Sequence, residues 1–279
     1  SARYFIGGSY HYETGSLEGL DVSKYSLRSS LDLDLFKGLT ANFQISLNNG
    51  SNNTLMNPAD KNNAENMEET FRALLQNPKW IPPTVNVNGQ DLPVYQYGEI
   101  SNNPYAIWDN NNYRKGESNS SNYVARLNYK LPWVDGLSVS MQFSQTKNSS
   151  KTKNYYARAY AYNFQTRGQH AHIVVPTLAD SLPKEQISGT EYLEEDANFS
   201  SSYQFNANIS YSKKFGLHDI SALLIYEQSE SESNKIGWKR EGAQVMEGVD
   251  ELWAFEEKDI ISATNVNKSG SLGYIGRLN

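Results

Sequence analysis

Residues 25–50, YSLRSSLDLDLFKGLTANFQISLNNG, alternate apolar and polar positions almost without a slip. Leu31, Leu33 and Leu35 point one way, and Asp32 and Asp34 the other. A tight Lys37-Gly38 turn follows. Then Leu39, Ala41, Phe43, Ile45 and Leu47 alternate with Thr40, Asn42, Gln44, Ser46 and Asn48. Period-two alternation of this length is a strong strand signal, and the stretch reads as a long hairpin with one greasy and one wet face. What covers the greasy face, a second protein layer or lipid, decides the fold.

The pattern recurs in NYVARLNYKLPWVDGLSVSMQFSQ and in SYQFNANISYSKKFGLHDISALLIYEQ. In the first, Tyr123, Ala125, Leu127, Tyr129 and Leu131 share a face. The chain turns near Asp135-Gly136 and resumes with Leu137, Val139, Met141 and Phe143. In the second, Tyr203, Phe205, Ala207, Ile209 and Tyr211 lead to a turn near Phe215-Gly216, then Ile220, Ala222, Leu224 and Tyr226. Each turn has a glycine, which supplies the positive φ of a tight hairpin. Hairpins near 23–49, 121–147 and 201–229, a lead strand over 3–13 and a last one over 272–278 give about eight strands.

The other connections are very long, near 50–120, 148–200 and 230–269. A soluble sandwich rarely separates short from long connections so cleanly. Outer-membrane barrels do, with short turns on one side and long extracellular loops on the other. Ten residues at about 3.3 Å each, tilted near 45°, rise roughly 23 Å, close to the apolar band of such a barrel. Phe36, Trp133 and Phe215 would form its turn-side aromatic girdle. Tyr25, Tyr123, Tyr203 and Tyr226 would form the loop-side one. The expectation is an all-β, antiparallel, up-and-down transmembrane β-barrel segment, about eight strands of a larger barrel. One short loop helix is expected over residues 63–76, where Ala64, Met67, Phe71, Leu74 and Leu75 recur at helical spacing and Asn77-Pro78 ends the run.

Composition narrows the alternatives. The 279 residues carry a net charge of -6, which argues against a nucleic-acid binder. The absence of cysteine rules out disulfide staples and thiolate metal sites. No apolar run approaches a membrane helix, yet a barrel strand needs only alternate apolar residues. Both ends read as interrupted strands, so the chain is expected to be one segment of a longer protein.

The chain resembles the SusC/RagA-type family of TonB-linked outer-membrane transporters of Bacteroidetes. The likeness is carried in order by YFIGGSYHYETG, YSLRSSLDLDLFKGLTANFQISL, NPKWIPPTVNVNGQDLPVY, NNPYAIWDNNNY, FNANISYSKKFGLHDISALLIYEQ and GYIGRLN. The resemblance implies a barrel of about 22 strands, with an N-terminal plug that these residues do not include. It implies a SusD-like surface lipoprotein lid and TonB-driven uptake of oligosaccharide or peptide across the cell outer membrane. Arg28, Asp32, Asp34, Asn42, Gln44, Arg126, Asn128, Gln204, Asn206 and Asn208 would then line the lumen, and the apolar faces would meet outer-membrane lipid.

Catalytic signatures are not found: there is no G-x-S-x-G, phosphate-cradling glycine loop or H-E-x-x-H. His170 and His172 have no evident third ligand. The acidic clusters Glu191, Glu194, Glu195, Asp196 and Glu256, Glu257, Asp259 read as solvated loop faces. The chain is expected to be no enzyme and to need no cofactor or metal. Loop rings set among amides suit sugar stacking with hydroxyl recognition, or packing of loops on one another. Trp80, Tyr105, Trp108, Tyr113, Tyr155, Tyr156 and Trp253 are the candidate ligand contacts, with Tyr160 beside them. Two other classes remain open: a secreted β-sandwich binding carbohydrate, and a glycoside hydrolase using two loop carboxylates.

Overall fold

The computed structural model describes residues 1–16, 19–56, 75, 80–95, 103, 105–106, 112–187, 190–216, 218–246, 248–256 and 261–279. In chain order the strands begin with β1 (Ala2–Thr14), β2 (Asp21–Phe36), β3 (Leu39–Leu55), β4 (Thr84–Val87) and β5 (Gln90–Pro93). They continue with β6 (Tyr113–Lys130), β7 (Leu137–Tyr156), β8 (Tyr160–Tyr162), β9 (Phe164–Arg167) and β10 (Ile173–Leu178). The last are β11 (Lys184–Gln186), β12 (Tyr192–Phe215), β13 (His218–Glu241) and β14 (Ile261–Leu278). A 3-10 turn, Leu252–Ala254, lies before β14.

Eight strands form one antiparallel sheet in the order β1-β2-β3-β6-β7-β12-β13-β14, an up-and-down run with β1 and β14 at its edges. The six short strands pair as separate two-stranded ladders in the long connections. Two of the tight turns need their glycine. A Cβ on Gly38 (φ 88°) would run into the Lys130 carbonyl, and one on Gly136 (φ 88°) into the Ser212 carbonyl.

The register puts the apolar residues on one face across the whole sheet, since directly paired residues point the same way. One row runs Tyr4, Leu31, Phe43, Ala125, Phe143, Phe205, Gln228, Leu272, and the row beside it runs Leu33, Ala41, Leu127, Met141, Ala207, Tyr226, Tyr274. Among the described residues no second layer covers the apolar band. Phe43, Leu127 and Ile209 are 44%, 42% and 48% exposed, and Leu33 is half-buried. The sheet is therefore a wall, and the facing layer of a sandwich is not present among the described residues.

The borders of the apolar face give its slant. The row through Tyr25 passes Asn119 and Phe199, each four residues beyond the ring of its own strand, Tyr123 or Tyr203. Continued to β14, the same row meets Val266, eight residues from Tyr274. That slip is about 26 Å along the strands against about 29 Å across six strand spacings, an angle of about 40°. The turn-side border slips the same way. Phe36 pairs with Leu39 and touches Tyr129 (5.7 Å), whereas Phe215 of β12 lies well past the row of Tyr129. Tyr25 and Phe36 stand eleven residues apart and Tyr203 and Phe215 twelve, so at that slant the band is about 28 Å tall on β2 and about 30 Å on β12. Barrel strands tilt by about 35–45° and carry an apolar band about 25 Å tall.

The strands outrun this band. The sequence places long excursions from about 50, 148 and 230, but β3 continues to Leu55, β7 to Tyr156 and β13 to Glu241, and β14 starts at Ile261 rather than near 272. Beyond the band polar residues stand on both faces, so the side chains cease to alternate while the backbone ladder continues. The helix expected over 63–76 lies outside the described residues except for Leu75.

Candidate functional site

The polar face of the sheet is an inner wall of amides and hydroxyls joined across strands. Asn42 donates to Asp32 (2.5 Å), Arg126 to Gln142 (2.8 Å) and Asn208 to Ser140 (3.1 Å), while Ser138 and Ser210 share a hydrogen bond of 2.6 Å. Such side chains satisfy one another and still present donors and acceptors to the space they face. Higher on the same face, Tyr156 and Tyr192 stack at 4.9 Å, with the Lys239 ammonium 4.2 Å over the Tyr192 ring. Asn154 donates to Glu194 (3.0 Å), and Lys239 pairs with Glu241 (2.6 Å). Burial first, and then the nearby Glu194 carboxylate, hold the Tyr192 phenol above its ordinary pKa. The rim is thus polar, close to charge-balanced and stiffened by one stacked pair.

The buried cores lie in the loops. On the outer face at the loop end, Tyr155 and Leu193 pack with Ala254 and Phe255, and Tyr113, Trp238 and Val249 close the cluster. Residues 243–246 and 248–256 form a strap folded back over the strand ends. Polar latches hold it: Tyr113 donates to Asp250, Lys153 pairs with Asp250 (3.1 Å), Arg240 donates to the Leu252 carbonyl (3.0 Å), and Gln244 donates to Tyr155 Oη (2.7 Å). The buried Glu191 accepts the Gln244 N–H and pairs with Arg158, tying the second long connection to the strap. Hydrogen bonding by Tyr113 and then Lys153 lowers the Asp250 pKa. Burial, and then Asp250, raises that of Tyr113.

A second core joins the first and second long connections. β4 and β5 form a hairpin on Asn88-Gly89, whose φ values of 54° and 87° match a primed turn. Leu92, Val94 and Phe164 pack with Val85, Tyr162 and Val174. The buried Asn103 donates to the carbonyls of Pro83 (2.6 Å) and Val94 (2.9 Å) and accepts the Tyr105 N–H (3.0 Å), fixing Tyr105 to this unit.

The candidate rings therefore separate into two groups. Trp80, Tyr105 and Trp253 are 68%, 40% and 64% exposed. Tyr155 and Tyr156 are 2% and 3% exposed and serve packing, and Tyr113 is a half-buried latch. Trp108 lies outside the described residues. Tyr160 faces Lys184, whose ammonium stands 3.7 Å over its ring. Tyr192 escaped the sequence reading, although counting back by twos from Asn206 places it on the polar face.

The first acidic cluster disperses onto cations or an amide. Glu195 pairs with Lys151 (3.4 Å), Asp196 with Lys235 (3.6 Å), and Glu194 accepts from Asn154. In the second, Glu257 and Asp259 lie outside the described residues. His170 and His172 sit 6.3 Å apart, and no group of three metal-ligating side chains occurs among the described residues.

No protein-family model matches the chain, and no curated protein does so. Solved structures do. The chain is similar to the RagAB peptide transporter, with a TM-score of 0.66 at 17% identity, over 100% of this chain and 28% of that one. The RagAB peptide importer gives 0.63 in its open-open state and 0.60 in its closed-closed state, again at 17% identity. These alignments cover 99% and 100% of this chain and 28% of the other. Identity so low shows a shared fold: these eight strands match a run within a much larger transporter chain.

Proposed function

We propose that this chain is part of the wall and loop surface of an outer-membrane importer, with the apolar band in lipid and the polar face toward the lumen. The exposed apolar band, similar in height on β2 and β12 and slanted about 40° from β2 to β14, carries this reading, because lipid-facing barrel strands need that geometry. Strands β1 and β14 would then pair with further strands of the parent barrel, since lipid tolerates no open sheet edge.

The cargo is a hydrogen-bond-rich oligomer, a peptide or a glycan, and passes chemically unchanged. The inner-wall amides offer it donors and acceptors, and Trp80, Tyr105 and Trp253 offer exposed rings at the loop end. The RagAB structures, whose cargo is peptide, favour the peptide. A SusD-like surface lipoprotein would sit over the loops. TonB would act through a plug elsewhere in the parent.

Fractionation of cells expressing the full-length parent tests this. It should sediment with outer membrane and need detergent for release, and removing Trp80 and Trp253 together should weaken capture of oligopeptide without changing extraction. Recovery of the parent as a soluble monomer would end the proposal.

A further inference from the structure

Just past the loop-side rings the outer face turns polar, and one cation stands there without a partner. Lys147 of β7 lies between Ser121 of β6 and Ser201 of β12, one residue pair beyond the level of Tyr123 and Tyr203. At a slant of about 40°, two residues of strand lift it roughly 5 Å above those rings. Aromatic belts sit at headgroup level, so its ammonium arrives where lipid phosphates lie.

The flanking serines are too short to fill the space beside it. A hollow of about 540 Å³ opens there, lined by Lys147, Phe199, Glu232, Ser121, Ser149 and Ser201 among others. Nearby cations are already matched: Lys151 with Glu195 (3.4 Å), Lys153 with Asp250 (3.1 Å), and Lys268 with Glu232 (3.1 Å). Among the described residues Lys147 is the one lysine on the outer face of β7 without an ion pair. Phe199, 51% exposed, stands one residue pair farther from the band than Lys147, in a row whose neighbours are Ser149 and Asn234, and lines the water side of the hollow. An unmatched ammonium directly above an apolar wall fits an amphiphile rather than a free ion.

We propose that this hollow holds the phosphate-bearing headgroup of a lipid in the loop-side leaflet, with Lys147 on the phosphate and the acyl chains on the apolar wall below it. The inference rests on the membrane reading above.

The full-length parent in mild detergent is titrated with dimyristoyl phosphatidic acid, whose phosphate is exposed, and with dimyristoyl phosphatidylcholine, whose phosphate is capped. Native mass spectrometry counts the bound lipid. Phosphatidic acid should be retained over phosphatidylcholine by about fivefold, the effect of one lysine at an anionic surface. Lys147→Ala should erase that preference, Lys147→Arg should keep it, and Lys151→Ala should leave it unchanged. Equal retention of the two lipids, an undiminished preference in Lys147→Ala, or equally strong capture of inorganic phosphate alone would overturn the lipid site. A soluble parent would overturn the membrane reading as well, whereas a membrane-embedded parent whose alanine variant keeps its lipid would overturn this inference alone.

Discussion

Replacing Ile209 by arginine puts a charge at the centre of the apolar band, six residues from Tyr203 and six from Phe215. In hydrocarbon an arginine at midplane costs about 2–4 kcal/mol, falling to about 0–1 near the interfaces. That range is about 30- to 900-fold in a folding equilibrium. Were the same face bathed in water, a side chain already 48% exposed would tolerate the change within about 0.5 kcal/mol. The neighbouring Asn208 supplies the control. It points to the polar face and gives up one hydrogen bond to Ser140, so Asn208→Arg should cost about 1 kcal/mol at most. Tyr203→Arg, at the border, should fall with it. The assay dilutes the urea-unfolded parent into phosphatidylcholine vesicles over a denaturant series and reads the folded fraction from heat-modifiable gel mobility. An Ile209→Arg variant within about 0.5 kcal/mol of the unaltered protein, or an Asn208→Arg variant equally damaged, would refute lipid as the cover of this face.

Other outcomes follow from the turns and the strap. Gly136→Ala should lower the folded fraction more than Gly216→Ala, because both carry positive φ but only at Gly136 would the added Cβ meet backbone. Phe255→Ala removes a ring that is 2% exposed and should loosen the strap by about 3–5 kcal/mol while leaving the barrel folded; hydrogen exchange of residues 243–256 measures it. The Asp250 latch has a lowered pKa, so its contribution is present above the ordinary carboxylate range and lost as pH falls through the lowered value. The Tyr113 phenol is raised, so its contribution is present below about pH 10 and lost as pH climbs further. Strap protection should therefore hold from about pH 4 to pH 10, and Asp250→Asn should remove the acid-side loss.

The eight-stranded sheet was legible in the sequence because one of its faces is apolar at every second residue. Leu31, Phe43, Leu127 and Ile209 announce a face that must be apolar whatever the rest of the chain does. The strand extensions were not legible, for the converse reason. Residues such as Ser229, Ser231 and Ser233 belong to a ladder that is polar on both faces, so no apolar period marks the strand. The loop cores were hidden because they join residues far apart, such as Tyr113, Tyr155, Leu193 and Phe255, none of which shares a local period. The Asn88-Gly89 hairpin is different. Its turn signal stands plainly between Val85 and Leu92, but a loop rich in proline and asparagine masked it. Likewise Tyr155 and Tyr156 read as loop rings open to a ligand, yet they end β7 and are spent in packing.

Residues 203–212 of β12 offer the sharpest measurement. In the full-length parent each is replaced in turn by cysteine, labelled with a fluorophore, and exposed to brominated lipid and to an aqueous quencher. Lipid quenching should alternate with a period of two, strong at 205, 207, 209 and 211 and weak at 204, 206, 208 and 210, with its maximum at 209. A flat profile, or protection of the odd positions from both quenchers, would mean that protein covers this face and that the chain is not a membrane wall.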